Sequence, residues 1–128
     1  MRSASVKLIR TQQPIIAHAG FGMIVVGRFF YLLPTIEQEA ILAHELGHIV
    51  YRHTRQRIIW ALQLRWLWDS SFSDMLRDHE LEADAFAVDS GHAEGLLAFL
   101  SKLTPAPLYP SPRERIARIH ALQGTHHG

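Results

Sequence analysis

The sequence predicts an α+β fold in which a small N-terminal antiparallel β-sheet is followed by about four helices. Two observations support this prediction. Residues 5–33 contain short runs rich in β-branched residues, whereas from residue 35 onward the apolar residues recur with the period of an α-helix. The chain has 128 residues, of which 48% are apolar and 20% are charged, so we expect one domain with a single hydrophobic core.

The predicted strands are the segments PIIAHA and MIVVG, which are separated by GFG, a sequence typical of a hairpin turn. We expect these two segments to pair as antiparallel strands. The single domain is expected to span residues 1–128, with residues 1–13 and 124–128 loosely ordered.

The first helix is predicted to begin at Thr35, because Thr35 and Gln38 form a capping-box pattern. Its apolar residues predict one buried stripe, made of Ile36, Ala40, Ala43, Gly47 and Val50. Glycine is about 1 kcal/mol less favourable than alanine inside a helix. Another element is therefore expected to approach the first helix closely at Gly47.

Three further helices are expected. The second runs from about residue 74 to 89 and stops before Gly91, and the third is AEGLLAFLSKL, residues 93–103. Ser111 has the position of an N-cap for the last helix, which is expected to end near Gly124.

Composition excludes several classes of function. The formal net charge of +1 gives no reason to expect nucleic acid as a partner. The chain has no cysteine, so any zinc site has to use nitrogen and oxygen ligands. No segment approaches the roughly 20 apolar residues of a transmembrane helix. The N-terminal segment is too polar for a signal peptide, and we expect a cytoplasmic protein.

The segment AHELGHIVYRH, residues 43–53, carries the motif with the clearest chemistry. His44 and His48 are four residues apart, which places both imidazoles on one face of a helix, where they can hold a single metal ion. Glu45 projects from the neighbouring stripe and can act on a ligand of that ion. This HExxH spacing is typical of zinc peptidases. His53 lies about 140° round the helix from His48 and is expected to point elsewhere.

A catalytic zinc site usually has three protein ligands and one water molecule. The metzincin pattern places its third ligand at residue 54, after a glycine at residue 51. This chain has Tyr51 and Thr54 at those positions, so the metzincin pattern is excluded.

The third ligand is predicted on the second helix. Glu80 and Asp84 are four residues apart and therefore share one face. Glu80 is expected to complete the site, and Asp84 is expected to accept the N–H of His44 and orient its imidazole. Two alternatives remain open at this point. His79 can compete with Glu80 as the ligand, or the two carboxylates form a solvated acidic face.

Three segments in this order, AHELGHIVYRH, ELEADAFAVDSG and YPSPRERIARI, resemble the gluzincin metallopeptidases of the HtpX and CAAX-prenyl-protease type. Those proteins read HExxH, then ExxxD within an EADxxA helix, then HPPxxxRI. Because the chain is short and has no predicted spanning helix, it is most similar to the soluble minimal members, the minigluzincins.

The resemblance implies a zincin-like fold with an active-site helix and a glutamate helix, and a zinc-dependent endopeptidase activity. One catalytic zinc ion is expected to be held by His44, His48 and Glu80. Glu45 is expected to activate the zinc-bound water, so that peptide or unfolded protein substrates are hydrolysed.

The resemblance further implies that Arg115 lies near the reacting centre. Tyr109 stands where the family has a histidine, and its hydroxyl can still donate a hydrogen bond to an oxyanion. Family members bind substrate as an added strand along a sheet edge. The corresponding residues here are Ile16, Ala17, His18 and Ala19.

Other hypotheses are also open. Tyr109 favours a catalytically inactive zinc-binding pseudopeptidase that binds peptides or a protein partner. A latent peptidase, in which the proline-rich loop or the N-terminal residues fill the cleft, is a further hypothesis. An ImmA/IrrE-like peptidase shares HExxH and an acidic helix, but the ending RERIARI fits the HtpX type better. The tryptophan-rich segment Trp60–Trp68 can contact a membrane surface. An extension of the first helix that packs on the core is the favoured interpretation of this segment.

Overall fold

The computed structural model describes residues 6–63, 65–69, 71–103 and 110–127. Three strands come first: β1 is Lys7–Arg10, β2 is Ala17–Gly20 and β3 is Met23–Val26. A 3₁₀ turn at Phe30–Leu32 leads into the helices. These are α1, Thr35–Val50; α2, His53–Leu62; α3, Arg65–Trp68; α4, Ser71–Asp89; α5, Ala93–Lys102; and α6, Pro112–His127. The predicted α+β class is confirmed, and α2 and α3 are additional to the predicted helices.

The sheet has the strand order β1-β3-β2 and is mixed, whereas the sequence predicted an antiparallel sheet. β2 and β3 form the predicted antiparallel hairpin, with Ala19 paired to Ile24. β1 pairs with the other side of β3 and runs parallel to it. The chain reverses its direction twice between β1 and β3, and this restores the original direction. Residues 7–10, which lie in the segment expected to be loosely ordered, form β1 through this pairing.

The hairpin turn consists of Phe21 and Gly22, which both have positive φ angles, 50° and 74°. Two consecutive residues with positive φ give a tight turn whose twist matches that of paired strands. Phenylalanine is unusual in this conformation, because its Cβ disfavours the left-handed region. The side chain of Phe21 is 76% exposed, so the hairpin tip presents a large apolar group to solvent.

Two hydrophobic clusters hold α1 in place. One contains Ile41 of α1 together with Ile24 and Val26 of the sheet. The other contains Ala40 and Ala43 of α1 together with buried residues of α4, α5 and α6. The active-site helix predicted from the sequence is therefore packed against both the sheet and the other helices.

The predicted buried stripe of α1 is confirmed only in its middle. Its three central residues are buried, whereas Ile36 and Val50 at the two ends are 43% and 52% exposed. At the start of α1, the approach of α5 occurs through backbone atoms. A Cβ added to Gly95 would lie 2.1 Å from the carbonyl oxygen of Ile36. This end of α1 is therefore covered without burying the Ile36 side chain.

The predicted capping box at the start of α1 is not formed. Pro34 is the N-cap residue, and Thr35 is already the first helical residue. Gln38 instead donates from Nε2 to the carbonyl oxygen of Leu33 at 2.8 Å. A proline N-cap has no side-chain oxygen to accept a helix N–H, so the two-sided capping box cannot form.

The signals at two other helix ends are confirmed. Gly91, just after α4, has a φ angle of 89°, which glycine adopts without steric cost. The backbone N–H of Glu114 donates to Oγ of Ser111 at 3.1 Å, as expected of an N-cap. α6 continues to His127, past its predicted end near Gly124.

Gly47 allows α4 to approach α1. A Cβ at residue 47 would lie 2.9 Å from Cα of Ala83 and 3.0 Å from Cβ of Phe86. These distances are shorter than ordinary van der Waals contacts, so only glycine fits without a shift of α4. The close approach predicted at Gly47 is confirmed. It brings Glu80, one turn before Ala83 on α4, within reach of α1.

The tryptophan-rich segment is not an extension of α1. Arg52 has a φ angle of 56°, in the left-handed region, so the chain turns sharply between α1 and α2. Large apolar side chains of α2 and α3 remain exposed, namely Leu62 at 79%, Leu67 at 63% and Trp68 at 69%. The interpretation as an extended helix is therefore wrong. A helix with the length and apolar character of a membrane span is absent from the described ranges.

Candidate metal centre

The side chains of His44, His48 and Glu80 converge on one point between α1 and α4. Nε2 of His44 lies 3.0 Å from Oε2 of Glu80, and Nε2 of His48 lies 3.3 Å from Oε1 of Glu80. The two Nε2 atoms are 3.1 Å apart. Zinc bonds of about 2.0–2.1 Å in a tetrahedral arrangement place the ligand atoms roughly 3.3 Å from one another. The three side chains therefore fit a zinc ion, and they form the only such group among the described residues.

His44 is oriented by a buried ion pair. Its Nδ1 lies 2.7 Å from Oδ1 of Asp84, and this hydrogen bond leaves Nε2 free to face the other two side chains. Arg115 of α6 donates from Nε and Nη2 to the two oxygens of Asp84, at 2.8 Å each. Asp84 is fully buried. The contact between Asp84 and His44 is the one that the sequence predicted. Arg115 shares Oδ1 of Asp84 with His44 and lines a cavity with His44, Glu45 and Glu80, so it lies close to this group, as expected.

Hydrogen bonds shift the pKa values of these groups against the effect of burial. Burial lowers the pKa of His44, but hydrogen bonds with Asp84 and Glu80 outweigh it and raise the pKa to about 9. Burial raises the pKa of Glu80, but hydrogen bonds from His44 and His48 hold that pKa well below its ordinary value. Burial also raises the pKa of Asp84, and hydrogen bonds from Arg115 and His44 lower it. A cation has to displace the proton of His44, so metal binding is coupled to proton release.

His48 contacts another histidine instead of a carboxylate. Its Nδ1 lies 2.8 Å from Nδ1 of His53, whose side chain is buried. The expectation that His53 points elsewhere is wrong, because it assumed that α1 continues through residue 53. The left-handed conformation of Arg52 instead turns the chain and returns His53 to the side of His48.

The tautomer of His53 follows from this contact. When His48 offers Nε2 to a metal ion, its Nδ1 carries the proton and donates to Nδ1 of His53. His53 is then protonated on Nε2, which has no hydrogen-bond partner among the described residues. Burial, together with the charges of His79, His48 and Arg57, lowers the pKa of His53 to about 3, so its ring is neutral.

His79, the sequence-based alternative to Glu80, lies outside the group of three. Its ring stacks on His53, with centroids 3.8 Å apart. Arg57 donates from Nε to Nδ1 of His79 at 3.1 Å, and Nε2 of His79 donates to Oε1 of Gln56 at 2.7 Å. Both ring nitrogens are therefore already used, and the structure brings Glu80 to the histidines instead.

Glu45 is half-buried beside this group and has no hydrogen-bond or ion-pair partner in the described part of the chain. It lines a cleft of about 190 Å³, together with His44, His48 and Glu80. Its carboxylate can therefore accept a hydrogen bond or a proton from a molecule that enters the cleft.

β2 forms one wall of the cleft. Ala17, His18 and Ala19 line it, and Ile16 lines an adjoining cavity that also contains Glu45. β2 pairs only with β3 among the described strands and is therefore an edge of the sheet. The predicted substrate strand thus lies along the cleft. Tyr109, the predicted oxyanion donor, is outside the described residues.

Two neighbours of the site were not predicted from the sequence. One is His53, and the other is Arg57, whose Nη2 lies 3.6 Å from Oε1 of Glu80. No glycine or proline stands between His48 and His53 to mark the end of α1. The sequence therefore contains no recognisable signal that could have placed either side chain.

An α-helix with two histidines four residues apart, facing a glutamate from a second helix, is the arrangement of a zinc peptidase. The comparison with protein families agrees with this class, since residues 7–72 match Peptidase family M48. The match covers just over half of the chain, and the protein belongs to Peptidase family M48. It includes His44, Glu45 and His48 but ends before Glu80, whose assignment to the site rests on geometry. No curated protein and no solved structure matches the chain.

Proposed function

We propose that this protein is a zinc-dependent endopeptidase of the HtpX and CAAX-prenyl-protease type, in a minimal form similar to the minigluzincins. Its substrates would be peptides or unfolded protein segments. The proposal depends mainly on one observation, the convergence of His44, His48 and Glu80 at 3.0–3.3 Å beside the unpaired carboxylate of Glu45. The order of the three sequence motifs supports this type within the family.

His44, His48 and Glu80 would hold one zinc ion, which in such a site polarises the scissile carbonyl and increases the acidity of a water molecule. Glu45 would take a proton from the attacking water and pass it to the leaving amine. Since Glu45 accepts no hydrogen bond from the described residues, no existing hydrogen bond has to break before this transfer.

The free edge of β2 would bind the substrate backbone. A peptide added as a further strand along Ala17–Gly20 would lie extended across the cleft. Arg115 would act as a positioning residue, because its hydrogen bonds go to Asp84, which orients His44. Tyr109 remains the proposed donor to the oxyanion.

Metal dependence tests this proposal. We expect the purified protein to contain one zinc ion per chain and to cleave an unfolded protein. A chelator is expected to remove zinc and cleavage together, and added zinc is expected to restore both. Zinc is measured by atomic emission and cleavage by gel electrophoresis. The His48→Ala variant, which lacks one ligand, serves as the metal-free control.

A wild-type protein that holds one zinc ion and cleaves no unfolded protein would contradict the endopeptidase proposal and support the inactive pseudopeptidase. Cleavage that appears only after a terminal segment is trimmed would identify a latent peptidase.

We also expect His53→Phe to weaken zinc binding by about 10–100-fold, because Nδ1–H of His48 loses its acceptor. Phenylalanine keeps a ring that can stack on His79, so packing changes little. His53→Gln retains an acceptor oxygen and is expected to recover part of the affinity. Zinc affinity is measured by competition with a chromophoric chelator.

His120→Phe provides the matched control, since His120 is exposed on α6. This substitution is expected to leave zinc affinity at the wild-type value. Wild-type affinity in a folded His53→Phe variant would show that His53 does not position His48.

A further inference from the structure

A second cavity adjoins the metal centre. It has a volume of about 560 Å³ and lies where the hairpin turn, the end of α1 and the start of α2 meet. Ligand pockets in proteins typically have volumes of roughly 300–1,000 Å³. His48 and Thr54 line both this cavity and the cleft that contains Glu45. A peptide that crosses the cleft can therefore reach the cavity with a side chain close to the reacting bond.

The walls of this cavity are largely apolar. They include Ile49 of α1 and Ile58 and Ile59 of α2, and the last two are 38% and 43% exposed. Phe21 closes one side from the hairpin tip. Apolar side chains that stay exposed around a concave surface favour an apolar ligand, because its binding removes them from water.

The backbone at Phe21 supports a binding role. Its φ angle of 50° is unfavourable for phenylalanine, whereas glycine or asparagine adopts this conformation easily. The aromatic side chain is 76% exposed and contributes little to the core of the protein. A strained residue that does not improve packing indicates that its side chain is used in another way.

Two arginines stand at the rim of the cavity. Arg52 and Arg55 are exposed, and neither forms an ion pair with a carboxylate of the described residues. Arg57, on the same helix as Arg55, differs because it contacts Glu80 at 3.6 Å. Two cations that pair with no described carboxylate, at the mouth of an apolar cavity, favour a ligand that carries a negative charge.

We propose that this cavity binds a bulky apolar side chain of the substrate beside the reacting bond, and that the rim arginines bind a carboxylate on the adjacent residue. We name it the arginine-rimmed pocket, with Phe21, Ile49, Arg52, Arg55, Ile58 and Ile59 as its defining residues. The proposal rests on the peptidase function proposed above and specifies its substrate class. The carboxylate can belong to an acidic side chain or to a free C-terminus.

Binding of matched peptides tests the pocket independently of catalysis. The zinc-loaded Glu45→Gln variant is titrated with fluorescent peptides that differ only in one dipeptide, Phe-Glu, Phe-Lys, Ala-Glu or Ala-Lys, in both residue orders. We expect Phe-Glu to bind 10–200-fold more tightly than Ala-Glu, on the order of the discrimination that apolar pockets achieve. The advantage of Phe-Glu over Phe-Lys is expected to be about two- to fivefold, as for exposed ion pairs.

Peptides that end in Phe-Ala, with either a free or an amidated C-terminus, distinguish the two sources of the carboxylate. Stronger binding of the free acid identifies a C-terminal carboxylate, and equal binding of both forms identifies an acidic side chain.

Charge reversal provides the variant test. Arg55→Glu leaves Arg52 and one carboxylate at the rim, so the preference for Phe-Glu over Phe-Lys is expected to be lost. Arg118→Glu makes the same change in charge on α6, where the side chain is exposed and outside the cavity. This control is expected to keep the wild-type preference.

The outcomes separate the pocket from the peptidase function. Equal affinity for all eight peptides overturns the pocket, whether or not the wild-type protein cleaves them. Selective binding without cleavage by the wild-type protein supports the pocket and contradicts the peptidase. A third outcome is that the protein binds anionic phospholipid vesicles, loses this binding in the Arg55→Glu variant, and shows no preference among the peptides. This outcome assigns the surface to a membrane and also overturns the proposal.

Discussion

Replacing Glu45 by glutamine is expected to reduce the cleavage of unfolded protein by roughly 10²–10⁴-fold, the usual contribution of a general base. The amide has nearly the same shape as the carboxylate but cannot take a proton from the attacking water. Because Glu45 is not one of the three converging side chains, the variant is expected to keep one zinc ion per chain. The measurement is kcat/KM on a quenched fluorescent peptide, with zinc content determined on the same sample.

Glu39→Gln is the matched control for this prediction. Glu39 lies on the same helix but is exposed and outside the cleft, so its substitution is expected to leave kcat/KM unchanged. If the Glu45→Gln variant cleaves peptides at the wild-type rate, Glu45 is not the base. Loss of zinc together with activity would show damage to the metal centre and not a defect in proton transfer.

Replacing Asp84 by alanine is expected to destabilise the metal-free protein by about 3–5 kcal/mol, because a buried ion pair loses one partner. The Arg115 side chain is 13% exposed and donates two hydrogen bonds to Asp84, so its charge would remain buried without compensation. His44 would lose the acceptor for its Nδ1 proton, and zinc affinity is expected to fall by about 10–100-fold. Urea unfolding in the presence of a chelator measures the first effect, and zinc competition measures the second.

A double variant keeps this prediction testable if Asp84→Ala does not fold. Combining Asp84→Leu with Arg115→Met replaces the buried pair by apolar side chains, which often preserves stability. We expect this protein to fold but to bind zinc weakly, because His44 still lacks its acceptor. Asp78→Ala on the same helix is the control, since the Asp78 side chain is 63% exposed and its removal is expected to change stability by less than about 0.5 kcal/mol. If Asp84→Ala changes the free energy of unfolding by as little as Asp78→Ala does, the ion pair does not have this structural role.

The features that could be predicted from the sequence are those that depend on neighbouring residues of one element. Residues four apart share a helix face whatever surrounds the helix, so the pairing of His44 with His48, and of Glu80 with Asp84, follows from spacing alone. Gly47 indicated a close approach for a similar reason, since a glycine inside a helix is unfavourable without a packing requirement. The α+β class follows from the change of apolar period after residue 33.

The features that spacing could not predict depend on where separate elements meet. No glycine or proline in the sequence indicates the left-handed conformation of Arg52, yet this conformation ends α1 and brings His53 to His48. Likewise, the approach of α6 to α4 joins Arg115 to Asp84. Local spacing was enough to predict which helix faces carry the three converging side chains, His44, His48 and Glu80. The tertiary structure decided which further side chains surround them, because contacts across elements depend on the path of the whole chain and not on local spacing.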